Sequence, residues 1–304
     1  MWAFLYPYIE RQSLWDHLAT RNYGLDVGIM ECTNSLWWEG NQGFAGPGLT
    51  GEQKAAFSSV SMFLCPSRRS GTKYIDKLPN GRDSEGGGAA SGPNIDYAMV
   101  FDALVHDGGT QQGWMFCSGL YDDPARPRVT DYSNHVGPFR MAVLSRAPGE
   151  DRWWEDWKMG KPRDSFSWLA DGTSNQFLIG EKHIPTAVLD QCGGTALGGT
   201  WDKNEVYSGD CSYLSLGVWG VNSSGRAFRT WDGEKTLAKG PTDFNSTAAV
   251  GYVPTHHYNF GSYHTSVVNF AMGDGSVQAV SVTAPHHILR SLAQVNDGKA
   301  VSLP

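Results

Sequence analysis

The chain has 304 residues, 40% hydrophobic and only 18% charged, with a formal charge of −7 and a pI near 5.7. The acidic balance and the lack of any Lys/Arg run argue against a nucleic-acid or anionic-membrane partner, each of which recruits a basic face. The length suits one large domain or two ordinary ones, and the wealth of Gly (37) and Trp (12) suits a loop-rich, largely β protein.

In chain order, residues 8–20 read as a helix, with Leu14 and Leu18 one turn apart, Trp15 beside them and Pro7 marking the start. Residues 22–50 are polar and Gly-rich and carry Trp37 and Trp38. GEQKAAFSSV (51–60) reads as a short helix leading into an apolar strand, SMFLC (61–65), ended by Pro66. NGRDSEGGGAASGPN (80–94) is a flexible loop by composition and the sole candidate linker. Residues 101–165 are irregular, so the chain is expected to be a single domain, 1–304, with a loop-rich insertion at about 102–165.

From 166 the pattern becomes regular. FSWLA and QFLIGEKHI are strand-like runs separated by the turn DGTSN, and residues 199–232 offer several short strand candidates. Residues 266–282 form the clearest hairpin. Val268, Phe270 and Met272 alternate on one arm and Val277 and Ala279 continue on the other. The Asp-Gly pair between them favours a type I′ turn. HHILRSLAQV (286–295) closes the chain as a helix with Ile288, Leu292 and Val295 on one face. No apolar run reaches the length of a membrane span, and no signal peptide opens the sequence.

Five cysteines stand at 32, 65, 117, 192 and 211, none in a Cys-x-x-Cys pair, which argues against a zinc ribbon or redox motif. Cys192–Cys211 and Cys32–Cys65 are candidate disulfides with Cys117 left over, a pattern suited to an oxidising, exported setting.

Candidate chemistry is sparse. His264 precedes Asp274-Gly275 by a strand-like interval. Extended chain places the two roughly 30 Å apart, which disfavours a direct dyad. Asp274 then supports the turn and His264 caps the start of the strand through hydrogen bonds. Asp171, Thr173, Ser174 and Asn175 offer hard oxygens for calcium, Asp171 and Asn175 foremost, but the same residues are ordinary turn formers. Glu181 and His183 share a strand face and make a weak zinc signal without a third ligand. The adjacent pairs His256-His257 and His286-His287 diverge, the first in a loop and the second at a helix start. No nucleophile elbow, metalloprotease helix or phosphate loop is present, so no catalytic residue is assigned. Trp37, Trp38, Trp153, Trp154 and Trp157 fall in irregular stretches, where they would stack on a glycan, form a protein interface or fill small cores beneath the loops.

Five stretches in order, LYPYIERQSLW (5–15), FLCPS (63–67), NIDYAMVF (94–101), DGTSN…GEK (171–182) and FGSYHTSVVNFAMGDGSV (260–277), carry a resemblance. The chain resembles a paralogous bacterial family of unknown function, abundant in planctomycetes, with prepilin-type N-termini and also classed with extracellular solute-binding proteins. Its hallmark is the His-x9-Asp-Gly segment, met by His264, Asp274 and Gly275. A second is met by Asp171, Gly172, Ser174, Asn175 and Glu181. The resemblance implies no catalytic role for these residues. It implies an α+β, pilin-like globular head, an N-terminal helix packed on an antiparallel sheet with long Gly/Trp-rich loops. The family's basic leader, processing site and anchor helix are not in this sequence, so a membrane would be met only through that missing helix. It further implies a non-enzymatic protein exported to the cell surface, periplasm or extracellular space, with no cofactor beyond the calcium candidate. Partners would be other pilin-like subunits in a filament, a type II secretion system or an adhesin. The alternatives are an extracellular solute- or glycan-binding protein and a hydrolase with no legible site.

Overall fold

The computed structural model describes residues 2–20, 38, 40–41, 46–47, 49–75, 92–101, 137–139, 145–146, 157–158, 165–186, 189–190, 210, 225–230, 233–234, 236–243, 259–299, 301 and 303. Trp37, Trp153, Trp154, His256-His257, Cys32, Cys117, Cys192, Cys211 and most of the 80–94 and 102–165 stretches lie outside the described residues.

The hairpin anchors the architecture. Alternating apolar residues build a strand in which Val268, Phe270 and Met272 are buried and their neighbours are half-buried. With it, five strands form one open sheet: β1 (Tyr97–Phe101), β2 (Phe177–Glu181), β3 (Gly225–Ala227), β4 (Val267–Met272) and β5 (Val277–Ser281). The order is β5-β4-β2-β1-β3. The first four are antiparallel neighbours, and β3 adds to β1 in parallel at the edge.

The turn of the hairpin differs from the expected type I′, with a consequence for register. The Met272 N–H donates to the Ser276 carbonyl at 2.8 Å and the Gly275 N–H to the Met272 carbonyl at 3.1 Å. Gly275 has φ 85°, whereas Asp274 is not among the positive-φ residues. The loop is therefore three residues long, a type I turn closed by a left-handed Gly275. One extra loop residue shifts the pairing by one position, so Val268 faces Val280 and Phe270 faces Gln278. The side chains of β5 flip accordingly. Val280 is buried, while Val277 and Ala279, the expected core residues, are exposed.

Each face of the sheet carries its own core. On one, Met99 joins Trp2, Tyr6, Leu14, Trp38, Phe57, Val60 and Phe63 from the N-terminal third. On the other, Ala98, Val100, Phe177, Phe270 and Val280 meet Phe228, Phe260 and the C-terminal Leu289, Leu292 and Ala293. The stacked Phe177 and Phe270 rings are 4.2 Å apart and Phe260 tilts onto Phe270 at 5.0 Å. Gly180 lies beneath these rings, where a methyl group would overlap both Phe270 and Phe260.

The helices are α1 (Gln12–Thr20), α2 (Gly51–Ser58) and α3 (His286–Ser291). Helix α2 starts at a capping box. Thr50 Oγ1 accepts the Gln53 N–H at 3.3 Å while Gln53 Oε1 accepts the Thr50 N–H at 2.9 Å. The first helix begins later than expected, because Trp2–Ile9 winds as a 3-10 helix containing Pro7 and Glu10 breaks it with φ 59°. Two expected strands are also 3-10 turns, Ser61–Phe63 and Phe166–Trp168. Both are short apolar runs with local i→i+3 bonds, a case in which periodicity does not discriminate. The last helix ends early at Ser291, though Leu292 and Val295 stay buried beyond it. No described helix is long and apolar enough to cross a membrane.

Candidate functional site

The tripeptide Cys65-Pro66-Ser67 opens a tight turn in which the Cys65 carbonyl accepts the N–H groups of Arg68 (2.9 Å) and Arg69 (3.0 Å). Asp96, just ahead of β1, fastens this turn to the sheet. Its Oδ2 accepts the Cys65 N–H at 2.8 Å. Its own N–H donates to the Phe63 carbonyl at 2.8 Å and its carbonyl accepts the Lys182 N–H at 2.9 Å. Cys65 is thereby set against the C-terminal end of β2, where Glu181 stands.

A buried ionic knot holds that junction. Arg69 grips Asp210 with Nη1 at 3.0 Å and Nη2 at 2.8 Å, and Asp96 Oδ1 with Nη2 at 2.6 Å. Arg68 donates Nη1 to Asp96 Oδ1 at 3.1 Å and Nη2 to the Lys182 and Gly261 carbonyls at 2.7 and 3.1 Å. Its guanidinium also lies over the Tyr263 ring at 4.9 Å. Burial works to raise the Asp96 pKa, but the Arg68 and Arg69 guanidinia outweigh it and hold the carboxyl below its ordinary value. Burial likewise works against the Arg69 charge, and Asp210 and Asp96 more than offset it, so the guanidinium is held more firmly protonated than usual.

Beside the knot three ligating side chains converge. Glu181 Oε1 lies 3.5 Å from Cys65 Sγ and 3.3 Å from His264 Nε2. The remaining edge, Sγ to Nε2, is 3.9 Å. Together they form a group able to hold a metal ion. Glu181 Oε2 faces away and accepts the backbone and side-chain N–H groups of Asn269 at 2.7 and 3.1 Å, which fixes Oε1 toward the cluster. Ser67 Oγ stands 3.0 Å from Sγ and 3.4 Å from Nε2. The Glu181 and Cys65 side chains are buried, but the His264 side chain is 39% exposed and Ser67 is exposed, so the cluster opens to solvent on that side. Tyr97 flanks it, its hydroxyl pushed up to about 12 by burial first and then by Cys65 and Glu181.

Several sequence expectations change here. Cys65 is a free, buried thiol, which counts against the expected Cys32–Cys65 disulfide. The His264 backbone N–H does bond locally, to Ser262 Oγ at 2.7 Å, but its ring turns to Glu181 and Cys65 instead of capping the strand. Asp274 sits at the exposed hairpin tip, its Oδ1 accepting the Ser276 N–H at 2.9 Å, and hydrogen bonding from the Ser276 side chain first and then from that backbone N–H lowers its pKa. The Glu181–His183 zinc pairing dissolves, because the His183 Nε2 is hydrogen-bonded to the Asp243 carbonyl. Trp38 is fully buried beside Tyr74 and is no stacking platform, while Trp157 belongs to a two-residue strand paired with Ser145–Arg146. The calcium candidate Asp171 accepts the N–H groups of Asp297 (2.7 Å) and Gly298 (3.1 Å), tying down the C-terminal segment. Asn175 Nδ2 donates to the Asp171 carbonyl at 3.2 Å, the Gly172 carbonyl accepts the Asn175 N–H at 3.1 Å, and Ser174 is exposed.

Sequence reasoning missed Cys65, Ser67, Arg68, Arg69, Asp96 and Asp210. A usable signal was present. Cys65, Asp96, Glu181 and His264 fall in four separate stretches that carried the family resemblance, and stretches shared in order are natural candidates for one spatial cluster.

No curated protein and no solved structure gives a significant match to the chain. A family model does: residues 1–285 match SBP_bac_10, described as Protein of unknown function (DUF1559), and with nearly its whole length covered the chain belongs to that family.

Proposed function

We propose that the chain is the binding head of an exported, extracytoplasmic protein, which captures a small solute at Cys65, Glu181 and His264 and performs no catalysis. The observation that carries this reading is the convergence of Sγ, Oε1 and Nε2 at a solvent-facing point, with Oε1 aimed by Asn269 and Cys65 fastened by Asp96. The family's short name, with its solute-binding sense, supports it. A nucleophilic cysteine would want the imidazole between thiol and carboxylate, with the carboxylate on the other ring nitrogen. Here Sγ and Oε1 both face Nε2, the geometry of a ligand set.

A thermal-shift panel of amino acids, small sugars and divalent cations on wild type and His264→Ala tests the reading. One member should raise the wild-type melting temperature and leave the variant unmoved. A panel without effect, or a shift retained by the variant, refutes it. Fractionation of the native producer should place the protein in the periplasm, at the surface or outside the cell.

A second reading, a pilin- or pseudopilin-like subunit, draws on the N-terminal segment packed across one face of an open antiparallel sheet. It requires the native gene product to co-sediment with surface filaments or secretion complexes.

A further inference from the structure

From the same cluster we infer that the solute is a divalent transition-metal ion of the zinc type, held by Cys65 Sγ, Glu181 Oε1 and His264 Nε2. The inference rests on the proposed binding reading and names its ligand class.

The distances carry it. Tetrahedral zinc with bonds of about 2.3 Å to sulfur and about 2.0 Å to nitrogen and oxygen sets its ligands roughly 3.3–3.6 Å apart. The observed edges are 3.3 Å for O–N, 3.5 Å for S–O and 3.9 Å for S–N. The triangle needs only a small closure on its S–N edge to hold the ion. The donor set is mixed sulfur, nitrogen and oxygen, which favours zinc-like ions over calcium or magnesium. The carboxylate already has the outer-shell support of a metal ligand, since Oε2 is held twice by Asn269. The fourth position falls beside the exposed Ser67 hydroxyl, so the ion would keep a place open to water or to a further ligand. On binding, the thiol gives its proton to solvent and the thiolate, carboxylate and neutral imidazole supply lone pairs. The divalent charge is then matched by two anionic ligands.

The test uses the whole chain, stripped with chelator, loaded with zinc chloride and dialysed, with metal measured by elemental analysis. Cobalt(II) loading supplies a spectroscopic reading of the sulfur ligand. The expected result is a single retained zinc per chain and a thiolate-to-cobalt charge-transfer band. His264→Ala should weaken zinc binding by at least about tenfold, the loss seen even for supporting residues. That variant keeps all five cysteines, so it separates this site from adventitious thiol binding. Cys65→Ser should abolish the cobalt band. Should Cys65→Ser fail to fold, the His264→Ala affinity alone decides. Substoichiometric zinc in wild type, or unchanged affinity in His264→Ala, overturns the inference. If an organic solute from the panel nevertheless shifts wild type and spares His264→Ala, the metal assignment falls while the binding reading stands. If nothing does, both fall.

Discussion

Among the described residues, two of the buried junctions work by opposite means. Behind the sheet, Phe177, Phe228, Phe260 and Phe270 make a dry cluster closed by α3. At the loop end of β1 and β2, Arg68, Arg69, Asp96 and Asp210 make an equally buried knot of charge. The phenyl cluster releases apolar surface from water and drives folding without directional demands. The knot gains far less net energy, because desolvating four charged groups offsets most of their attraction. What it adds is direction: every charged group is aimed, and Cys65 and the Lys182 and Gly261 carbonyls are held in fixed relation. One junction makes the fold stable and the other makes the neighbouring site geometrically defined.

The largest effect should come from the dry side. Phe270→Ala removes the ring that touches Phe177, Phe228 and Phe260, and should cost about 3–5 kcal/mol in urea denaturation. Phe270→Leu should recover a good part of that, since an apolar cluster asks mainly for volume. A leucine variant as damaged as the alanine would mean that ring geometry matters as strictly here as charge geometry does in the knot.

Breaking the knot should cost slightly less in stability and more in order. Asp96→Asn leaves Arg68 and Arg69 without their shared carboxylate and should destabilise by about 3 kcal/mol, at the low end for a buried pair broken on one side. The sign with pH follows. Because the folded Asp96 pKa lies below the ordinary 3.8, its contribution is complete above 3.8 and is lost as pH falls through the lower folded value. Wild type should therefore lose stability in that acid range faster than Asp96→Asn. Parallel acid curves would remove Asp96 from its assigned place.

Local devices rank below both junctions. Gly275→Ala forces a Cβ into a left-handed residue and should cost about 1 kcal/mol. Thr50→Ala removes the capping-box hydroxyl of α2 and should also cost about 1 kcal/mol. Neither should alter zinc affinity, since neither touches the knot or the cluster.

Legibility in the sequence follows the same division. The hairpin strand, β2 and α2 could be read because their signals, alternation, the Asp-Gly pair and the helical run GEQKAAFSSV, are local. The register of β5 could not, because one loop residue decided it and the same three letters, Gly-Asp-Gly, serve two-residue and three-residue loops. The helix-on-antiparallel-sheet class was legible from order and resemblance. The site was not, since Cys65, Glu181 and His264 are 116 and 83 positions apart in sequence, by subtraction of their numbers, and meet only through β2 and the Asp96-bound turn. Spacing found Glu181 and paired it with His183, the neighbour two residues on, when its partners were distant.

The smallest expected effect is the most discriminating. His264 is the least buried member of the cluster, and its ring faces Glu181 at a solvent-open edge. In metal-free buffer His264→Ala should change stability by no more than about 0.5 kcal/mol, the usual range for surface positions. With zinc at a hundredfold excess over its dissociation constant, wild type should gain about 2.7 kcal/mol, because an ion bound only to the native state stabilises it by mass action. The variant should gain almost none of this. That pattern, neutral without the ion and defective with it, would show that His264 belongs to the site and not to the fold. A loss as large in metal-free buffer as in zinc would make the cluster a third structural junction, built like the knot it adjoins.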